Sequence, residues 1–251
     1  MSVLIDVAEL SEAIHRPSPP VLLDVRWALG DPNGRPHYLD AHIPDAVYVD
    51  LEKELAAPPS PENGRHPLPA PADLQAAARS WGVSTGRSVV AYDDVGGTSA
   101  ARAWWLLRWA GLHDVRLLDG GLTAWRDAGL PLESGEVTPA PGDVVVQPGA
   151  MPTVDADGAA RAARDGVLLD ARAAARYRGD EEPVDPVAGH IPGAISAPTV
   201  DNLGATGEFL DRDLLRNRFD ELGVTGAGDV AVYCGSGVTA AHEVAALAAI
   251  G

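Results

Sequence analysis

The 251-residue chain contains one cysteine, Cys234, and one lysine, Lys53. A single thiol cannot close an intramolecular disulfide, so no covalent staple holds the fold and a reducing compartment is the expected setting. There is no cysteine pair and no histidine-rich cluster to hold a metal, and both the dinucleotide fingerprint and the Walker phosphate-binding pattern are missing. No cofactor is therefore expected. With Lys53 alone, almost no catalytic role can fall to a lysine. No stretch approaches the roughly 20 apolar residues that cross a bilayer, and the opening MSVLIDVAEL lacks the basic start and long apolar core of a secretory leader. A cytoplasmic globular protein is the expectation. Positive charge is also scarce: 19 basic against 36 acidic residues leave a formal net charge of −17. That balance disfavours nucleic acid and anionic membranes as partners.

What the chain does have is a second copy of itself. Leu22-Leu23-Asp24-Val25-Arg26 returns as Leu168-Leu169-Asp170-Ala171-Arg172. Ala41-His42-Ile43-Pro44-Asp45-Ala46 returns as Gly189-His190-Ile191-Pro192-Gly193-Ala194, and the stretch 74–92 returns as 214–233. The offset, about 145 residues, is the size of a domain, so a duplicated domain is expected rather than a solenoid. The boundaries read as an N-terminal domain over 1–134, a Pro- and Gly-rich linker over 135–151, and a C-terminal domain over 152–251. Within each copy short apolar runs (VLLDV, SVVAYDD, VRLLD, VLLDA, DVAVYC) alternate with helical spacing over 72–81, 99–110, 212–222 and 240–250. This alternation predicts an α/β fold in which each copy is a mostly parallel sheet flanked by helices.

Reactive groups in such sheets sit beyond the carboxyl ends of the strands, and that is where Cys234 falls. Residues 229–233 are expected to form a central strand, Cys234 to end it, and Gly235-Ser236-Gly237-Val238-Thr239 to lead into a helix from about Ala240. The glycines permit a tight turn whose backbone N–H groups point inward, and the helix start adds partial positive charge at the same place. A lone cysteine is often only a small buried hydrophobe. The strand–Cys–Gly-rich turn–helix context favours a reactive thiol instead, because a thiolate, or the persulfide anion it forms on taking a sulfur atom, would be held by those amides.

These residues resemble the tandem-domain rhodanese-like sulfurtransferases, most nearly the 3-mercaptopyruvate and thiosulfate sulfurtransferases. The matching features are the twin LLDxR and HIPxA blocks, LLDGGLTAW at 117–125 and CGSGVTA at 234–240. The resemblance covers nearly the whole chain. It implies an inert first domain and a second domain that carries the catalytic cysteine. The sequence agrees, since Tyr92-Asp93 stands where the second copy has Tyr233-Cys234, and a carboxylate cannot accept sulfane sulfur. It implies a persulfide on Cys234, stabilised by the amides of Gly235, Gly237, Val238 and Thr239, with Arg176 gripping the donor. It also implies a proton relay of Ser236, His66 and Asp50. The partners implied are a small-molecule sulfur donor and a thiol acceptor such as thioredoxin, or cyanide.

The loop CGSGVT looks like that of mercaptopyruvate enzymes. Thiosulfate-preferring rhodaneses usually carry basic residues after the cysteine, and none occurs here between Cys234 and His242. A second substrate arginine, found in mercaptopyruvate enzymes shortly before HIPG, has no counterpart in DEEPVDPVAGH. A cysteine phosphatase on the related fold would need an arginine six residues after the cysteine, where this chain has Ala240. A non-catalytic persulfide carrier is the alternative of another class, and it would stop after one equivalent of donor. Gly251 stands where Gly111 stands in the first copy, and residues 112–134, a strand and a helix there, have no partner after it. The C-terminal domain is accordingly expected to lack its last strand and helix.

Overall fold

The computed structural model describes residues 2–251. The first copy runs β1 (Leu4–Ile5), α1 (Val7–Ala13), β2 (Val21–Asp24), α2 (Arg35–Asp40), β3 (Val47–Tyr48) and α3 (Leu51–Glu54). It continues with α4 (Pro71–Ser80), β4 (Val89–Tyr92), α5 (Ala100–Trp109), β5 (Val115–Leu118) and α6 (Gly121–Asp127). The second runs α7 (Ala156–Asp165), β6 (Val167–Asp170), α8 (Ala174–Arg178), β7 (Ile195–Ser196), α9 (Arg212–Glu221), β8 (Val230–Tyr233) and α10 (Val238–Ile250), with a 3₁₀ turn at Thr199–Asn202.

Each copy builds its own parallel sheet, in the order β1-β5-β4-β2-β3 and β7-β6-β8. The continuous Val/Leu runs of β2, β4 and β6 are buried throughout, as strands covered on both faces must be. The registers repeat: Asp24 lies beside Tyr92, and Asp170 beside Tyr233. The same polar unit therefore closes the end of both sheets. Arg26 bonds to the Asp24 carboxylate as Arg172 does to Asp170. Ile43 and Ile191 donate their backbone N–H to the hydroxyls of Tyr92 and Tyr233. The HIP histidines are props in both copies: His42 stacks on Tyr38 and His190 on Tyr177.

Two expectations are corrected. β8 is an edge strand and not a central one, and it is only partly covered, with Val230 39% exposed. In the first domain the place beyond the matching strand β4 is filled by β5; beside β8 there is an apolar groove of about 870 Å³. Second, α10 starts at Val238, two residues before the expected Ala240. Gly237 takes φ 81°, a left-handed turn that glycine makes without steric cost, so the chain swings from loop to helix in one residue.

The two halves share a core. Val238, Ala241 and Ala245 of α10 lie in one apolar cluster with Ala100, Ala101, Ala103 and Trp104 of α5. Alanine on both helices lets their backbones approach closely. The segment 135–151 is laid along the first domain: Gly135 N–H donates to Leu39 O, Gly142 N–H to Arg79 O and Gln147 N–H to Ala110 O, and Val144 is buried. Where α10 meets the first domain, His242 is fully buried, with Nδ1 2.7 Å from Thr199 Oγ1 and Nε2 3.0 Å from Gly96 O.

Burial pulls the pKa of His242 from 6.5 down to about 4. The unfolded chain takes up this proton near 6.5 and the folded protein only near 4, so the residue's contribution to stability is intact above pH 6.5 and is withdrawn as pH falls toward 4. The loss is at most about 3 kcal/mol. Denaturant unfolding at pH 7.5 and pH 4.5 should show His242→Gln losing less stability than the parent protein. Equal losses would contradict the assignment.

Candidate active site

Tyr233 ends β8, Cys234 follows it, and α10 begins four residues after the cysteine. The Cys234 side chain is half-buried and its Sγ accepts the backbone N–H of Gly237 at 3.0 Å. The sulfur thus faces the inside of the turn. It lines a cleft of about 200 Å³ together with Ser236, Thr239, Arg65, Arg176 and Trp27. The larger apolar groove beside β8 does not contain Cys234.

The first domain shows what such a turn does to an anion. Asp93 follows β4 as Cys234 follows β8, and its fully buried carboxylate accepts four backbone N–H groups. Val95 and Gly97 donate to Oδ1 at 2.9 and 2.8 Å, Ser99 and Ala100 to Oδ2 at 2.8 and 2.9 Å. Burial pushes the Asp93 pKa up, and these amides oppose it. The first loop carries its own anion within the chain. In the second, shorter loop the amide of Gly237 faces a sulfur.

Of the residues expected at the site, Ser236 and His66 meet, with Nδ1 of His66 2.9 Å from Ser236 Oγ. The first-domain loop PENGRHPLP does reach the second domain's cysteine loop. His66 packs edge-on against Trp27, and its pKa is lowered by burial, then by the Arg102 and Arg65 cations. A neutral imidazole is thereby favoured near pH 7, as a proton acceptor requires. Asp50 has other partners. Its carboxylate caps α3, accepting from Glu52 N–H and Lys53 N–H and pairing with Lys53 Nζ at 2.7 Å. Asp50 makes no hydrogen bond to His66, so of the three residues expected in the relay only Ser236 and His66 are hydrogen-bonded to each other. Arg176 does line the cleft, but its guanidinium is engaged, with Glu182 at 2.6 Å and Asp185 at 2.7 Å. Gly235 and Gly237 lie in the turn, while Val238 and Thr239, expected in the loop, are the first residues of α10.

The most substantial addition to the expected set is Arg102, from α5 of the first domain. It is 4% exposed and its hydrogen bonds all run to backbone carbonyls: Leu55 O at 3.2 Å, His66 O at 3.0 Å, Pro67 O at 3.3 Å and Gly237 O at 3.5 Å. Burial pulls its pKa down to about 10, and negative charge on the Cys234 sulfur opposes this. Arg102 is thus a buried cation beside the turn, tying the His66 loop and the cysteine loop to one group.

A profile described as "Rhodanese-like domain" matches residues 6–128 and again 155–251. The chain belongs to the rhodanese-like family. It is similar to a putative thiosulfate sulfurtransferase, SseB, of Mycobacterium tuberculosis, 49% identical over 99% of this chain and 89% of that one. A probable 3-mercaptopyruvate sulfurtransferase of Pseudomonas aeruginosa is 50% identical over 92% of this chain and 84% of that one. Among solved structures, the crystal structure of SseA from Escherichia coli, described as a 3-mercaptopyruvate enzyme, superposes with a TM-score of 0.88 at 34% identity. That match covers 100% of this chain and 95% of the other. The tandem rhodanese-like architecture accounts for the twin sheets, and the twin LLDxR and HIPxA blocks are the polar units that close them.

A Cβ on Gly237 would lie 2.9 Å from Nη1 of Arg102, on a backbone already at φ 81°. Gly237→Ala should cost about 1–2 kcal/mol of backbone strain and move the N–H that faces Sγ. Alkylation of Cys234 by iodoacetamide should slow at least about threefold in the folded variant. An unchanged rate would show that this amide does not govern the sulfur.

Proposed function

We propose that the protein moves sulfane sulfur from 3-mercaptopyruvate or thiosulfate to a thiol or cyanide acceptor through a persulfide on Cys234. Sulfurtransfer as the class of reaction follows from the family and from the relatives it resembles. The single observation that carries the finer reading is the Gly237 N–H aimed at Sγ of Cys234, in a turn whose first-domain counterpart surrounds a carboxylate with four amides.

In the proposed first half-reaction the Cys234 thiolate attacks the sulfur of 3-mercaptopyruvate. The S–Cys234 bond forms as the donor's C–S bond breaks, and the electron pair of that bond goes to carbon. The proton of the donor thiol is passed to the same carbon, so pyruvate leaves and the outer sulfur stays on Cys234 as an anion. Ser236 and His66 are placed to carry that proton, His66 accepting through the serine hydroxyl. With thiosulfate, sulfite leaves and no proton need move. In the second half-reaction a thiol such as thioredoxin, or cyanide, takes the outer sulfur and the thiolate returns. The turn's amides hold whichever sulfur carries the charge, with the Arg102 cation behind them.

Mixing the protein with 3-mercaptopyruvate and weighing it should show a gain of one sulfur atom, about 32 Da, that is absent after Cys234→Ser. Repeated turnover with an acceptor separates this enzyme from a carrier that stops after one equivalent. No mass gain from either donor would refute the reading. The two proposed relay neighbours should also behave differently. His66→Ala should slow pyruvate release at least about tenfold. Asp50→Ala should lower stability by about 1 kcal/mol through the lost cap and leave the rate within about twofold. A large rate loss in Asp50→Ala would restore it to the relay.

A further inference from the structure

Above the cleft, two guanidinium groups converge on one carboxylate. Arg176 comes from α8 of the second domain, and Arg65 from the first-domain loop that also carries His66. Asp185 lies between them, Oδ2 2.7 Å from Nη2 of Arg176 and Oδ1 3.3 Å from Nη2 of Arg65. All three side chains stand over the residue next to the cysteine. A Cβ on Gly235 would come within 2.5 Å of Arg65 Nη2, 3.0 Å of Asp185 Oδ2 and 3.5 Å of Arg176 Nη2.

The two carboxylates that meet Arg176 are held very differently. Glu182 is 6% exposed and accepts from Nε and Nη2 of Arg176, at 3.1 and 2.6 Å, and from the backbone N–H groups of Val184 and Asp185. The Arg176 guanidinium holds its carboxyl down at about 2. Nη1 of Arg172 also lies 3.5 Å from this carboxylate, so Glu182 is held in place on several sides. Asp185 is 25% exposed, and among the described residues its ion pairs run only to the two arginines. Arg65, moreover, has a buried Nε with no hydrogen-bond partner among the described residues. A guanidinium with an unspent donor, a lightly held carboxylate and a reactive sulfur one residue away together describe an anion site with an internal occupant.

We propose that Arg65 joins Arg176, which the family resemblance already assigns to the donor, in a clamp for the donor's carboxylate, and that Asp185 occupies this clamp until the donor displaces it, so that a monoanion is preferred to a dianion. This rests on the sulfurtransferase reading above and deepens it. The charges of Arg65, Arg176, Glu182 and Asp185 sum to zero. A donor carboxylate that takes the place of Asp185 keeps the clamp itself neutral and leaves one extra negative charge, that of the displaced Asp185, close by. Thiosulfate brings two, beside Glu182 and the displaced Asp185, and like charges at such distances disfavour binding. In 3-mercaptopyruvate the sulfur is three bonds from the carboxylate carbon, so a donor held over Gly235 presents it toward Cys234.

Steady-state kinetics with both donors test the clamp on the parent protein, Asp185→Asn, Asp185→Glu and Arg65→Gln. Asp185→Asn should raise kcat/KM for thiosulfate at least about tenfold, through KM, and that for 3-mercaptopyruvate by less than about threefold. Asp185→Glu, which keeps the charge, should keep the parent's donor ratio. Arg65→Gln should raise KM for both donors at least about fivefold with kcat little changed. If the parent turns over and these variants keep its KM values and donor ratio, the three residues form only an interdomain ion pair and the clamp is wrong, while the sulfurtransferase reading stands. If the parent takes sulfur from neither donor, both fall.

Discussion

A polar side chain set where a parallel strand ends, inside a turn of the backbone and in front of a helix, is the feature around which both halves of this chain are organised. Amides in such a turn already point inward, so they need no rearrangement when charge arrives, and the low-dielectric surroundings strengthen each contact. In the first domain the charge is the Asp93 carboxylate, held by four N–H groups. That loop is satisfied by its own side chain and has no room for chemistry. In the second domain the sulfur of Cys234 takes that place. Gly237 donates to it, and the helix begins at the next residue. The two loops differ in length and in the side chain that follows the strand, although both sheets are closed by the same Asp–Arg and Tyr–Ile contacts.

Neither domain makes the site alone. α10 is seated on α5 through alanines on both sides, and Arg102 reaches from α5 to the carbonyls of His66 and Gly237. The His66 imidazole crosses to Ser236, and His242 returns the contact to Gly96. These bonds fix the height of the first-domain loop over the cysteine. Keeping a cation buried without a carboxylate partner is costly. Arg102 offsets that cost with carbonyl dipoles, and its charge remains directed at the turn.

Much of the fold was legible because the interior strands of the sheets are continuous apolar runs set between helical periods. The apolar runs of β2, β4 and β6 are short and bounded by turn residues, which favours a buried strand over a helix, and α4, α5 and α9 lie within one residue of their expected bounds. The two-residue strands β1, β3 and β7 are too short to leave a period. The edge position of β8 could not be read from its own residues, since VAVY suits a central strand equally well; it depends on what pairs beside it. At the site, Cys234 and its turn were readable from local sequence. His66 and Ser236 are 170 positions apart, and only the family resemblance linked them. The resemblance also drew Asp50 into the relay, whereas a local signal pointed elsewhere. Asp50 heads the acidic turn Leu51–Glu54 and Glu54 reaches back to its N–H at 2.7 Å, a reciprocal helix cap. Arg65, Arg102, Glu182 and Asp185 are unremarkable as letters and acquire meaning only where the domains meet.

The central claim is that the turn of residues 235–239 holds sulfur as an anion. A crystal structure of the protein reacted with 3-mercaptopyruvate tests it most directly. The account predicts a second sulfur bonded to Sγ of Cys234, within about 3.5 Å of several of the turn's backbone nitrogens. A second sulfur directed away from those amides, or Cys234 unmodified in a fully reacted crystal, would contradict it.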